Sequence, residues 1–192
     1  MPVIDAIMIN LKNANLVPPL RLVFIMWLMY TLQFTFAWDL GFLGVYPRTY
    51  TGMVGILTAP MVHGNVSHLI SNTFPVLFLG TVLYLFYPTI ASQVFIQCYL
   101  FTNFLVWLFA RPFYHIGASG LVYALAFFLI SLVLFKRDMK TLFIAILIAI
   151  IYGGLVYNVA SINARISWES HLLGAIAGVG NAYAVWRFFK KV

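Results

Sequence analysis

Three short clusters in this chain carry residue types suited to acyl transfer. The first is Gly117-Ala118-Ser119-Gly120, set between the polar stretch Arg111-Pro-Phe-Tyr-His-Ile116 and the apolar run Leu121 to Phe135. That setting puts Ser119 at the mouth of a helix. Gly117 can take the positive φ that a sharp loop-to-helix turn needs. A helix start also offers unpaired N–H groups, where negative charge is stabilised. A hydroxyl beside such donors is half of an acyl-transfer site. A plain helix cap would use the same residue.

The second cluster is His68-Leu-Ile-Ser-Asn72. Its His and Asn stand i, i+4 and share a helix face. The third is His171-Leu-Leu-Gly174-Ala-Ile-Ala-Gly178. A serine nucleophile needs a base within reach and donors aimed at the developing oxyanion. His171 is the candidate base. His68, Asn72 and the backbone N–H of Ser119 are the candidate oxyanion donors. His68 and Asn72 would equally serve as interhelical glue or a cap, and His171 could bond loop carbonyls. Gly174 and Gly178 lie on the face of His171 and make a groove for a close helix. Tyr123 lies one turn below Ser119 and would shelve the imidazole.

The acids are Asp5, Asp39, Asp138 and Glu169. Glu169 is two residues before His171 and should point elsewhere, favouring the helix N-terminus by its charge. Glu169→Gln is then expected to change the rate little. This leaves a Ser-His dyad rather than a triad. No HExxH is present, and histidines without nearby carboxylates make a poor ligand set, so no metal and no cofactor are expected.

What must position these residues is a membrane bundle. The chain has 192 residues, 64% hydrophobic and 8% charged. Soluble domains are about half apolar and about a quarter charged. The net charge of +7 comes from basic residues at the ends of apolar runs, which fits topology signals and not a nucleic-acid face. The lone Cys98 excludes an intrachain disulfide and sits in an apolar run. No cleavable signal peptide is visible.

Residues 1–19 read as a cytoplasmic or interfacial segment, ended by Pro18-Pro19, and residues 20–190 as a six-helix membrane domain. The expected spans are Leu20 to Trp38, His68 to Tyr87, Ile90 to Ala110, Ser119 to Phe135, Thr141 to Val159 and Ser170 to Phe189. Each is near the roughly 20 residues a bilayer helix needs. The loop Asp39 to Ser67 is too apolar for a solvated linker and should lie partly in the interface.

Six spans put both termini on one side, with Lys12, Arg21, Lys136, Arg137, Lys140, Arg187, Lys190 and Lys191. Arg48, Arg111 and Arg165 face the other. The larger basic group marks the cytoplasm. The second, fourth and sixth spans then enter from the non-cytoplasmic side, with His68, Ser119 and His171 as first residues at one depth.

These clusters, in this order on alternate helices, resemble the rhomboid intramembrane serine proteases over roughly residues 20–190. The resemblance implies a Ser119–His171 dyad, oxyanion donors from His68, Asn72 and Ser119, and packing roles for Tyr123, Gly117, Gly120, Gly174 and Gly178. It implies membrane-anchored protein substrates cut in or near a transmembrane segment. It also implies the minimal six-helix bacterial form, in an inner membrane, with the site opening away from the cytoplasm. Many rhomboids carry Trp-Arg in the first loop, where this chain reads Gly52-Met-Val-Gly-Ile-Leu-Thr58. The residue before the base is often Ala and here is Ser170. The competing reading is a rhomboid-like protein that binds membrane clients without cutting them. A small transporter is more distant, because apart from Pro75 the spans lack broken helices or midplane charges.

Overall fold

The computed structural model describes residues 15–159 and 167–188. The interfacial segment before Asn15, Arg165, Lys190 and Lys191 lie outside the described residues. Among those described, six long helices follow in order: α1 Val17–Phe36, α2 Val66–Phe86, α3 Ala91–Phe109, α4 Ser119–Phe135, α5 Met139–Val159 and α6 Trp168–Phe188. They form an all-α membrane bundle.

α4 is the axis. It is apolar all round, and Gly120 to Ala126, Phe128, Leu129, Ser131 and Leu132 are buried. A helix without a polar face is stable only when other elements surround it or lipid does. Here α6, α5, α2 and α3 all pack on it, α6 most extensively. By length and composition, α1, α2 and α3 can cross a membrane, whereas α4 is a shorter apolar helix of 17 residues. α6 is the more polar exception. Its Glu169 and Asn181 are buried against the bundle instead of facing lipid, and the Asn181 amide donates to Ala177 O at 2.9 Å.

Local chemistry sets the helix ends. Pro18 and Pro19 occupy the first turn of α1, where a missing N–H costs nothing. α1 therefore starts at Val17 rather than Leu20. α2 starts at Val66, because Asn65 caps it by accepting from the His68 N–H at 2.8 Å. α6 starts at Trp168. His68 and His171 are thus first-turn residues and not the first residues expected, while Ser119 does open α4.

The loop between α1 and α2 is folded, with turns at Gly41–Leu43, Thr51–Met53 and Ala59–Met61 around a one-turn helix, Gly55–Thr58. It lacks Trp-Arg and is held by other means. Arg48 donates to Leu108 O at 3.2 Å and Ala110 O at 2.9 Å. The Trp107 indole N–H donates to Thr49 O at 2.9 Å, and the Asn103 amide to Ile56 O at 3.2 Å. Gly52 and Gly55 lie directly on the backbone of Tyr46 and Gly44, with no room for a side chain. On its outer face Phe42, Met53, Val54 and Leu57 are exposed, and Tyr50 is 92% exposed. Such a face suits the interface that the composition suggests.

Candidate active site

Val45 and His115 exchange backbone hydrogen bonds, each at 2.9 Å, tying the first loop to the loop before α4. The next residues turn into α4. Gly117 has φ +99°, and its N–H donates to Ala59 O at 2.9 Å. A Cβ there would fall 2.5 Å from His68 Cε1. Glycine is thus required twice, by the turn and by the imidazole lying against it. Ala118 is the N-cap residue of α4 and no side chain caps this end. Ser119 is the first helical residue, so the plain cap that its position allowed is not its role. Its Oγ lies 3.1 Å from His171 Nε2.

His171 is brought there by close packing. Gly174 sits on the carbonyl oxygen of Gly120, and Gly178 on that of Ala124. Gly120 in turn lies against the Thr102 methyl and the Ser170 carbonyl. At each position a methyl group would collide. Helices this close associate through van der Waals fit. The Tyr123 and His171 rings are parallel within 7°, with centroids 4.2 Å apart. The phenol ring covers one face of the imidazole and restricts its rotation.

His68 and Asn72 flank the site from α2. Asn72 is buried, and its amide donates to its own helix at His68 O, 2.9 Å away. One amide N–H is therefore engaged, and a second remains by composition. The His68 ring meets His63 edge to face at 4.9 Å. Neither His68 nor Asn72 is hydrogen-bonded to Ser119. The backbone N–H groups of Ser119 and Gly120 lie in the first helical turn, where no preceding carbonyl is in register to accept them.

The residues behind the base were not anticipated as a group. Glu169 does not merely charge the helix start. It is 5% exposed and pairs through both oxygens with Arg111, whose Nε meets Oε1 and whose second terminal nitrogen donates to Oε2 at 3.1 Å. His115 Nδ1 lies 2.5 Å from Ser167 Oγ, and that oxygen lies 2.6 Å from Ser170 Oγ. His115 Nε2 lies 3.0 Å from Arg111 O. A signal was present. In a chain with so few charges, an arginine and a glutamate in loops on the same side of the membrane invite pairing.

Two loop histidines are held neutral. Burial, helped by the nearby His68 ring, pushes the His63 pKa down to about 3. Burial likewise lowers His115, against the opposing effects of its bond to Arg111 O and the charge of Glu169. Neither ring nitrogen of His63 has a hydrogen-bond partner among the described residues. Among those residues, no group of three or more His, Cys, Asp or Glu side chains could hold a metal ion.

The geometry suits nucleophilic acyl transfer: a serine hydroxyl, an imidazole within hydrogen-bond distance, and donors around a helix start. Comparison with known proteins bears on the family. An uncharacterized protein of Mycobacterium tuberculosis (strain ATCC 25618 / H37Rv) is 31% identical over 157 residues, covering 73% of this chain and 62% of the relative. An uncharacterized protein of Mycobacterium leprae (strain TN) is 35% identical over 139 residues, covering 67% of this chain and 55% of the relative. The chain thus spans less than two thirds of the length of these relatives. The family model of the Rhomboid domain matches residues 50–188. That leaves α1 outside, a narrower match than the resemblance over residues 20–190. It takes in all three chemistry-bearing clusters and five of the six long helices, and by it the chain belongs to the rhomboid family.

Proposed function

We propose that this protein is an intramembrane serine protease. It hydrolyses peptide bonds in or near transmembrane segments of membrane-anchored proteins. Ser119 is the nucleophile and His171 the general base. The 3.1 Å separation of their Oγ and Nε2 atoms carries this reading.

With the ring proton on Nδ1, His171 Nε2 takes the hydroxyl proton as Ser119 Oγ attacks the scissile carbonyl carbon. The carbonyl oxygen becomes an oxyanion, met by the Ser119 backbone N–H and by donors from His68 and Asn72. The C–N bond then breaks, and His171 gives its proton to the leaving amine. An acyl-enzyme remains. Water attacks it, again losing a proton to His171, and collapse returns that proton to Ser119. Tyr123 keeps the imidazole in plane throughout. The residues provide this chemistry without a metal or cofactor. The site is read as opening to the non-cytoplasmic side of a bacterial inner membrane, with cytoplasmic termini, from the distribution of basic residues.

The deciding experiment is cleavage of a model transmembrane substrate, together with fluorophosphonate labelling of Ser119. Ser119→Ala and His171→Ala should each abolish cleavage in folded protein. The double variant should lose little more than either single one, because members of a catalytic unit are not additive. Wild-type turnover in either single variant overturns the dyad. Folded wild-type protein that neither labels nor cleaves favours the client-binding alternative. Asn72→Ala should slow turnover about 100- to 1,000-fold if its amide meets the oxyanion. An unchanged rate would make Asn72 structural.

A further inference from the structure

We propose that Arg111, His115, Ser167, Glu169 and Ser170 form a positioning clamp for the base, locking the helix turn that carries His171 to the loop that leads into Ser119. The inference rests on the dyad reading and supplies what that reading lacks. In a triad, an acid orients the imidazole. Here Glu169 is two residues from His171, about 200° round the helix. Its carboxylate is engaged by Arg111 on the far side. It makes no hydrogen bond to His171, so it orients the ring through the backbone of the turn.

Two links cross from one element to the other. The first is the Arg111–Glu169 pair, with two N–H groups on two oxygens. Fork-to-fork pairing fixes direction as well as distance. The guanidinium lies over the Phe113 and Trp168 rings, 5.1 and 5.7 Å from their centroids, so one residue from each element packs on it.

The second link is directional. The Arg111 carbonyl can only accept, so neutral His115 carries its proton on Nε2 and donates to it. Nδ1 is then an acceptor, and the Ser167 hydroxyl donates to it. With that proton committed, the Ser170 hydroxyl donates to Ser167 Oγ. The chain therefore runs Ser170 to Ser167 to His115 to Arg111 O, with each proton assigned. It starts at the residue before the base, which in many rhomboids is Ala and cannot begin such a chain.

The clamp reaches the chemistry through contact. The Ser170 carbonyl lies against Gly120, next to Ser119, and Gly174 rests on the same glycine. A first turn of α6 pinned there has one rotational setting. Releasing it would let His171 shift relative to Ser119, and about 1 Å of misplacement can cost about 100-fold.

The test uses the full chain in liposomes, measuring kcat and KM for a transmembrane substrate, the fluorophosphonate labelling rate and Tm. Ser170→Ala removes the start of the hydrogen-bond chain and puts a better helix former in the turn. It should lower kcat and the labelling rate about 10-fold with KM and Tm unchanged. With Glu169 only a charge at the helix start, Glu169→Gln would change the rate little. On the clamp reading it should lower both rates about 100-fold, well short of the about 10,000-fold expected of a triad acid. Ser167→Thr, which keeps a hydroxyl, should retain more activity than Ser167→Ala. Wild-type kcat in both Ser170→Ala and Glu169→Gln overturns the clamp. So does a loss of rate matched by a loss of Tm in Ser170→Ala, which would make the network structural only. Failure of the dyad is separable: wild-type protein would then go unlabelled, or His171→Ala would cleave normally.

Discussion

Gly174 and Gly178 of α6 face α4 with no room for a methyl group, whereas Gly153 and Gly154 of α5 have nothing within 4 Å. Both pairs sit in helices packed on the same central helix. α6 meets α4 backbone to backbone. α5 packs on α4, buries Ile144, Ala145 and Ile148, touches α6 little, and leaves Phe143, Ile146, Ile150 and Ile151 exposed. A glycine pair does not by itself mark a seam. Its register against a functional side chain does, and only the α6 pair shares a face with one.

The sharpest way to break this comparison is a bulky residue on each side. Gly174→Val should cut cleavage and Ser119 labelling by about 100-fold or more, since a displacement near 1 Å suffices. Gly154→Val should stay within a few fold of wild type. The reverse pattern would leave His171 needing another route to Ser119. Gly178→Val comes next. It lies a turn deeper, so overpacking should cost about 1–3 kcal/mol of stability, seen as a lower Tm, with less effect on chemistry in the protein that stays folded.

Acid probes the side of the candidate site and not α5, because α5 carries no histidine or carboxylate. The folded chain holds His63 neutral, with a pKa of about 3, and burial lowers His115 as well. The unfolded chain binds those protons near pH 6.5. Stability should therefore be complete above about pH 6.5 and fall as pH drops, by at most about 1.4 kcal/mol per pH unit for each histidine. Melting between pH 7.5 and 5 checks this. A Tm that is flat or rises on acidification contradicts it, and His63→Gln should flatten the slope. The smallest effect is on the open side. Gly154→Ala should stabilise by about 0.5–1 kcal/mol through helix propensity, with no change in rate. A loss would mean that α5 packs more closely than its open space indicates.

Much of the architecture was legible because lipid enforces simple rules. Long apolar runs must become helices, and alternation then puts the starts of α2, α4 and α6 at one end. That is why Ser119 and His171, far apart in sequence, could be expected to meet. Their packing was readable because glycine spacing and histidine position share a helical period. Helix starts escape the apolar pattern where one or two residues decide them, as with Asn65 capping α2 and Pro18-Pro19 opening α1. The clamp was not readable. Ser167, Ser170 and His115 are ordinary polar residues near loops, and only the folded geometry joins them. Glu169 reads from the sequence as acting on its own helix, whereas its partner comes from the loop before α4. The first loop was expected to be held otherwise than by Trp-Arg, but glycines lying on backbone leave no periodic trace.

The inward-facing polarity of α6 bears on how the protein is made. A translocon weighs each emerging segment largely by its apolarity. α1, α2 and α3 meet that standard by length and composition, and α6 does not. It gains a favourable environment against α4 and α3, both synthesised earlier; α4 offers backbone contact at Gly120 and Ala124, and α3 meets the buried Asn181 amide at Cys98. Stable insertion of α6 is therefore coupled to its docking, and docking is the event that brings His171 to Ser119. On the mechanism proposed above, a nascent chain carries Ser119 into the bilayer without His171 and is chemically silent until the last described helix is seated. Glycosylation-tag reporters on α6 should show poor insertion alone and efficient insertion after α4, and Gly174→Val should weaken the second result without changing the first.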